Sequence, residues 1–165
     1  MEITIRPYQS ADRSAVITLM SAFNQYIQSI DDTHRTRYLE GSSEYFTDKM
    51  IRLCQTNQGI VYVACGNDEI IGFVSGYVDE QDPDEKMETI PAVPGVIGEL
   101  FVSAKFRQRQ IGKQLLDRIE LYLRSKGCTI LRFTVFAPNG IARQFYEQAG
   151  YVERLINMVK ELGPL

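Results

Sequence analysis

Arg107-Gln108-Arg109-Gln110-Ile111-Gly112-Lys113 places three cations within seven residues, directly ahead of a helical pattern. A chain that enters a helix through such a turn aims several unpaired backbone N–H groups at one point, where the helix dipole adds partial positive charge. That is an anion site, and its natural ligand is a phosphate or pyrophosphate. The other reading is a solvated helix start. Upstream, Glu99 stands inside the apolar run 96–102. A carboxyl group in such surroundings is held above its ordinary pKa unless it is paired, which suits a general base near neutral pH. The competing reading is a structural glutamate, paired with an arginine or bonded to backbone.

The elements that position these groups follow from periodicity. Residues 96–102 are apolar and β-branched and form a strand, with Glu99 and Phe101 on one face and Leu100 and Val102 on the other. Ile111, Leu115, Leu116, Ile119, Tyr122 and Leu123 recur at helical spacing, so a helix leads away from the turn. Residues 2–7 alternate as a first strand. Ser10 or Asp12 then caps a helix whose inner face is Val16, Leu19, Met20, Phe23 and Ile27. A polar loop, 31–41, holds the one histidine, His34, and a second helix starts near Ser42. Runs 60–65 and 70–78 read as a hairpin about the turn residues 66–69. Residues 79–95 are acidic and then proline-rich, and read as a long loop. Residues 129–136 form a further strand, Asn139 caps a short helix to Gln148, and 151–162 supply one or two final strands. The expectation is one α/β domain over 1–165, its mixed sheet antiparallel early and parallel around the fourth and fifth strands.

Composition narrows the function classes. A net charge of −3 argues against nucleic-acid binding through a basic surface. No apolar run is long enough to span a bilayer, so no membrane role is expected. Cys54, Cys65 and Cys128 lack metal-ligand spacing and read as reduced thiols of a cytoplasmic protein. With a single histidine, a histidine-based zinc site or a Ser-His triad has little to work with.

The turn resembles the acyl-CoA-binding motif of the GNAT (Gcn5-related N-acetyltransferase) superfamily, Arg/Gln-x-x-Gly-x-Gly/Ala after a strand with valine five residues before the arginine. Val102, Arg107 and Gly112 match, and Gln110 replaces the first glycine. Glycine there allows a positive φ or a close backbone approach to a ligand, whereas Gln110 can still donate its N–H if its φ is negative. Asn139, Ala142, Phe145, Tyr146, Gly150 and Tyr151 fill every marked position of the family's second motif. The resemblance covers nearly the whole chain. It implies the GNAT fold, with six to seven strands, about four helices and a splayed fourth and fifth strand.

By the same resemblance the chain is an acetyl-CoA-dependent N-acetyltransferase without a metal. It transfers the acetyl group directly to a primary amine, on a small molecule or a peptide, in a ternary complex. Backbone groups of Leu100, Phe101 and Val102 are expected to hold the pantetheine arm. Arg107, Gln108, Arg109, Gln110, Ile111, Gly112 and Lys113 would hold the pyrophosphate. Asn139 would contact the arm or the sulfur, Tyr146 would be the acid for the departing thiolate, and Glu99 the base. Tyr26, His34 and Tyr38 lie in the region that borders the acceptor in the family. The acidic stretch 79–88 either attracts a cationic acceptor or is merely solvated. A homodimer is expected by analogy alone. A non-catalytic acyl-CoA-binding module is the alternative that Gln110 leaves open, and an oxygen- or thiol-directed acyltransferase is a weaker third.

Overall fold

A computed structural model describes residues 2–162, and the chain divides after Thr134 into two units. The first carries β1 (Ile3–Pro7), α1 (Arg13–Ser29), α2 (Ser42–Thr56), β2 (Ile60–Gly66), β3 (Glu69–Val78), α3 (Pro83–Glu88), β4 (Pro94–Val102), α4 (Ile111–Ser125) and β5 (Ile130–Arg132). The second carries α5 (Gly140–Gln148). The five strands form one sheet in chain order. Neighbours are antiparallel except β4 and β5, which run parallel because α4 carries the chain back between them.

Strand alternation sorts the two faces of this sheet. Val61, Val63, Phe73 and Phe101 point one way and pack with Val16, Leu19 and Met20 of α1 and Met50 and Cys54 of α2. The other face receives α4, whose Ile111, Leu115, Leu116, Ile119 and Leu123 are all buried. Each such side chain stabilises the fold by about 1.5–3 kcal/mol. Gly76 permits this packing, since a Cβ there would lie 2.7 Å from Ile119 Cγ1. The β2–β3 turn falls where Asn67-Asp68 predicts it, with φ of 51° and 62° at the two residues, as a two-residue hairpin turn with both φ positive demands. Asp12 precedes α1 but does not cap it. Its carboxylate instead takes both Arg6 Nη groups, at 2.7 and 2.8 Å.

Three expectations are corrected. The stretch 79–95 is not all loop. Asp82 accepts the Glu85 N–H at 2.8 Å, Pro83 opens the first turn, and the resulting α3 buries none of its residues. The fifth strand covers 130–132 rather than 129–136, because its pairing with β4 ends at Val96 and Arg132. Residues 151–162 form no strand among the described residues. Val152, Leu155 and Met158 are almost fully exposed, so β propensity finds no neighbouring ladder there. The described sheet therefore has five strands rather than six to seven, accompanied by five α-helices.

Candidate active site on the edge of the fourth strand

β4 is kinked where Glu99 sits. Gly76 pairs with Ile97 and Val74 with Leu100, so Ser75 alone opposes Gly98 and Glu99. This two-against-one count is a β-bulge, which bends the strand and re-aims a side chain. Pairing with β5 stops at Val96, two residues before the bulge, and among the described residues no strand covers that edge of β4 farther along. Ser103 N–H donates to Ile71 O at 2.8 Å, which fixes the alternation. Phe101 turns its backbone to β3 and its ring into the core, while Leu100 and Val102 turn their amides to the open edge. Of the three backbone positions the sequence suggests for a guest chain, two face outward.

Glu99 lies on the α1–α2 face. Burial pushes its carboxyl group above the ordinary glutamate range, and its own backbone N–H, the Ser75 hydroxyl and the Lys49 ammonium only partly oppose this. Ser75 Oγ donates to Glu99 Oε2 at 3.4 Å. No arginine pairs with Glu99 among the described residues, and the structural alternative survives only in its other form, through the bond from the Glu99 backbone N–H.

After β4, a 3₁₀ turn at Ala104–Phe106 leads to Gln108 and Gln110, both left-handed with φ of 62° and 60°. The negative φ under which Gln110 could have offered its N–H is not the one adopted. Gln110 adopts the conformation that glycine favours, at a cost of about 1–2 kcal/mol. It closes the first bond of α4, as Gln114 N–H donates to its carbonyl at 3.0 Å, but its side chain caps nothing. The N–H groups of Ile111, Gly112 and Lys113 open the helix without intrahelical partners. The three cations are partly engaged. Arg107 Nε donates to Val102 O at 3.1 Å, and its guanidinium lies 5.1 Å from the Tyr26 ring centre and 5.5 Å from that of Phe101. Arg109 covers Phe106 at 5.8 Å, and Lys113 pairs with Asp117 on the exposed face of α4. Arg107 therefore ties the turn to the open edge, a contact the sequence does not announce. Tyr26 is drawn to the site through it. His34 lies on an exposed loop, and Tyr38 stacks edge-on with Phe46 at 6.2 Å.

Sequence reasoning missed one anchor in this unit. Arg132 of β5 holds Asp79 at 2.7 Å and also Glu85, and Gln81 is buried with its amide bonded to Thr89, Ile90 and Ala92. With Asp82 at the start of α3, three of the acidic residues at 79–88, Asp79, Asp82 and Glu85, are therefore structural. The Asp82-Pro83-x-Glu85 box was the available signal for this ordering.

In the second unit, Asn139 Oδ1 accepts the Ala142 N–H at 3.2 Å and starts α5 as its sequence predicts. Tyr146 is half-buried, with ring centres of Phe145 at 5.1 Å and Tyr151 at 5.8 Å. Burial pushes its hydroxyl up to about 12. Among the described residues, no group of three or more His, Cys, Asp or Glu is placed to hold a metal, and no helix is long and apolar enough to cross a membrane.

Comparison with known proteins bears on the same segments. The pattern of the acetyltransferase (GNAT) family matches residues 25–151. An uncharacterized N-acetyltransferase of Bacillus subtilis (strain 168), YycN, is 27% identical over 122 residues, 73% of each chain. A tetramutant of the BH1408 protein from Bacillus halodurans shares the fold with a TM-score of 0.79 at 18% identity, over 96% of this chain and 99% of that one. Glucosamine-6-phosphate N-acetyltransferase from Arabidopsis thaliana superposes with a TM-score of 0.67 at 18% identity, over 99% of this chain and all of the other.

Proposed function

The chain belongs to the acetyltransferase (GNAT) family, and on that premise we propose that it transfers acetyl from acetyl-CoA directly to a primary amine, using Glu99 as base and Tyr146 as acid. The observation that carries the reading is the left-handed turn at Gln108 and Gln110. It brings unpaired helix N–H groups and cationic side chains to the end of a strand whose outer edge is open. That set of donors suits a pyrophosphate followed by an amide-bearing arm. Ile111, Gly112 and Lys113 would hold the phosphates through backbone N–H groups, with Gln108, Arg109, Gln110 and Arg107 around them. The Leu100 and Val102 amides would hold the arm, as an added strand is held by a sheet edge, with Phe101 beneath them as core. Acetyl-CoA supplies the activated acyl thioester.

Glu99 accepts the proton that the amine must lose, directly or through water. A carboxyl group held above its ordinary range is a stronger proton acceptor when ionised. Tyr146 stays protonated throughout the physiological range and donates to the departing sulfur. Asn139 supports the arm from the start of α5. The non-catalytic alternative rested on Gln110, and with that residue left-handed no observation favours it.

Thermal unfolding with acetyl-CoA, set against NADH and ATP, tests the cofactor. At 100 times its dissociation constant a ligand stabilises by about 2.7 kcal/mol, a rise of roughly 5–10 °C for a domain of this size. No rise with millimolar acetyl-CoA removes the reading. A rise with acetyl-CoA alone opens a screen of amines by release of free thiol.

A further inference from the structure

We infer that Ser75 is a positioning residue for Glu99: its hydroxyl, seated in space that Gly98 leaves open, fixes the direction in which the carboxylate is presented. The inference rests on the reading of Glu99 as base, but its geometry stands apart from it.

The bulge sets one β3 residue against two of β4, and each of the three is fitted to the others. Ser75 is 1% exposed, so its hydroxyl must find a partner within the protein. A Cβ built on Gly98 would lie 2.2 Å from Ser75 Oγ but 3.5 Å from Ser75 Cβ. The oxygen, rather than the rest of the side chain, is what a larger residue at 98 would have to displace. That oxygen then reaches Glu99 Oε2 at 3.4 Å. A hydroxyl can rotate, donating to the carboxylate when Glu99 is ionised, the stronger bond because its acceptor is charged, and accepting from it more weakly when Glu99 carries a proton. It can therefore hold the side chain in one direction through both states that a base must visit. The other titratable groups that bear on Glu99 are Lys49 and Cys54 of α2 and Tyr77 of β3, which act on it through charge, whereas Ser75 reaches its carboxylate with a hydroxyl.

The test is a ¹³C NMR titration of the Glu99 carboxyl in the unliganded protein, its signal assigned by its loss in Glu99→Gln. Losing a long hydrogen bond to the ionised form should raise the Glu99 midpoint in Ser75→Ala by roughly 0.5–1 pH unit. If an amine substrate has been found, the acidic limb of kcat/KM should move by the same amount. An unmoved midpoint overturns the inference. Should Ser75→Ala not fold, Ser75→Cys offers a weak donor of similar shape and should raise the midpoint by a smaller amount, and an unchanged value again overturns it. Gly98→Ala examines the fit from the opposite strand. It should lower Tm by about 3–10 °C in the native background, and by less than half as much when combined with Ser75→Ala. Equal losses in both backgrounds would mean that Ser75 does not occupy the space. Full activity in Glu99→Gln defeats the base reading and leaves the titration result standing, so the two failures are distinguishable.

Discussion

The two regions that carry the family motifs hold their chemical groups in opposite ways. In Gly98–Lys113 the sequence departs from its motif at Gln110, and tertiary structure maintains the shape. A bulge fitted to Ser75 aims Glu99, α4 packs on the sheet behind it, and Arg107 fastens the turn to Val102. In Asn139–Tyr151 every marked position is present, and contacts close in sequence contribute: Asn139 to Ala142, and Tyr146 between Phe145 and Tyr151. Burial also acts on both proton-carrying groups in the same direction with opposite results. It makes Glu99 a better acceptor and Tyr146 a poorer donor of a free proton. With its hydroxyl at about 12, Tyr146 keeps its proton at neutral pH and so has one to donate to a departing sulfur.

The largest effect should come from Glu99→Gln, which removes the proposed proton acceptor. Turnover should fall at least about 100-fold at neutral pH, and the acidic limb of the pH profile should flatten. Stability should move the other way. The folded Glu99 pKa is raised, so the contribution of this residue is fully present below its unfolded pKa and is lost as pH rises through the folded value. At neutral pH the variant should therefore melt higher than the native protein. A variant that keeps both its rate and its pH profile would remove Glu99 from the reaction.

Tyr146→Phe comes next and sets the second region against the first. Loss of the phenol should lower kcat by roughly 10–50-fold with KM little changed. The ring stays, so the local stack should survive. A change of less than a few-fold would make Tyr146 a packing residue only.

What was legible in the sequence divides along the same line. Asn139, the Asn67-Asp68 hairpin turn and the apolar face of α4 are local signals, and each lies where its spacing predicts. The placing of Glu99 on the Phe101 face was also readable, because alternation needs no knowledge of neighbours. The bulge was not. Glycine at 98 hints at close approach, but only the register of β3 against β4 shows that Ser75 is the group approaching. Arg132 was invisible for the same reason, since Asp79 and Glu85 lie 53 and 47 residues away along the chain. Residues 151–162 err in the opposite sense. Their composition is that of strands, but a strand requires a bonded neighbour, and propensity cannot supply one.

Asn139→Ala should have a smaller effect, of about 1 kcal/mol, as expected for loss of an N-cap. If the second region is held locally, the loss should appear as faster hydrogen exchange at Ala142 and its neighbours in α5. Asn139→Ser should recover most of it. Slowed or unchanged exchange would show that the helix start is held from elsewhere.

Gln110→Gly should have the smallest effect, and it tests whether the first region truly imposes shape on an unsuited residue. Glycine relieves about 1–2 kcal/mol of left-handed strain but adds roughly 0.5–1 kcal/mol of backbone entropy to be lost on folding. The net gain is about 0.5–1 kcal/mol, a rise in Tm of roughly 1–4 °C. Because the turn already has the required shape, acetyl-CoA affinity should tighten by no more than about 3–5-fold. A much larger gain would mean that Gln110 leaves the turn poorly formed for much of the time. A lower Tm would mean that its side chain contributes more than its backbone costs, and the contrast between the two regions would then have to be drawn at Arg107 instead.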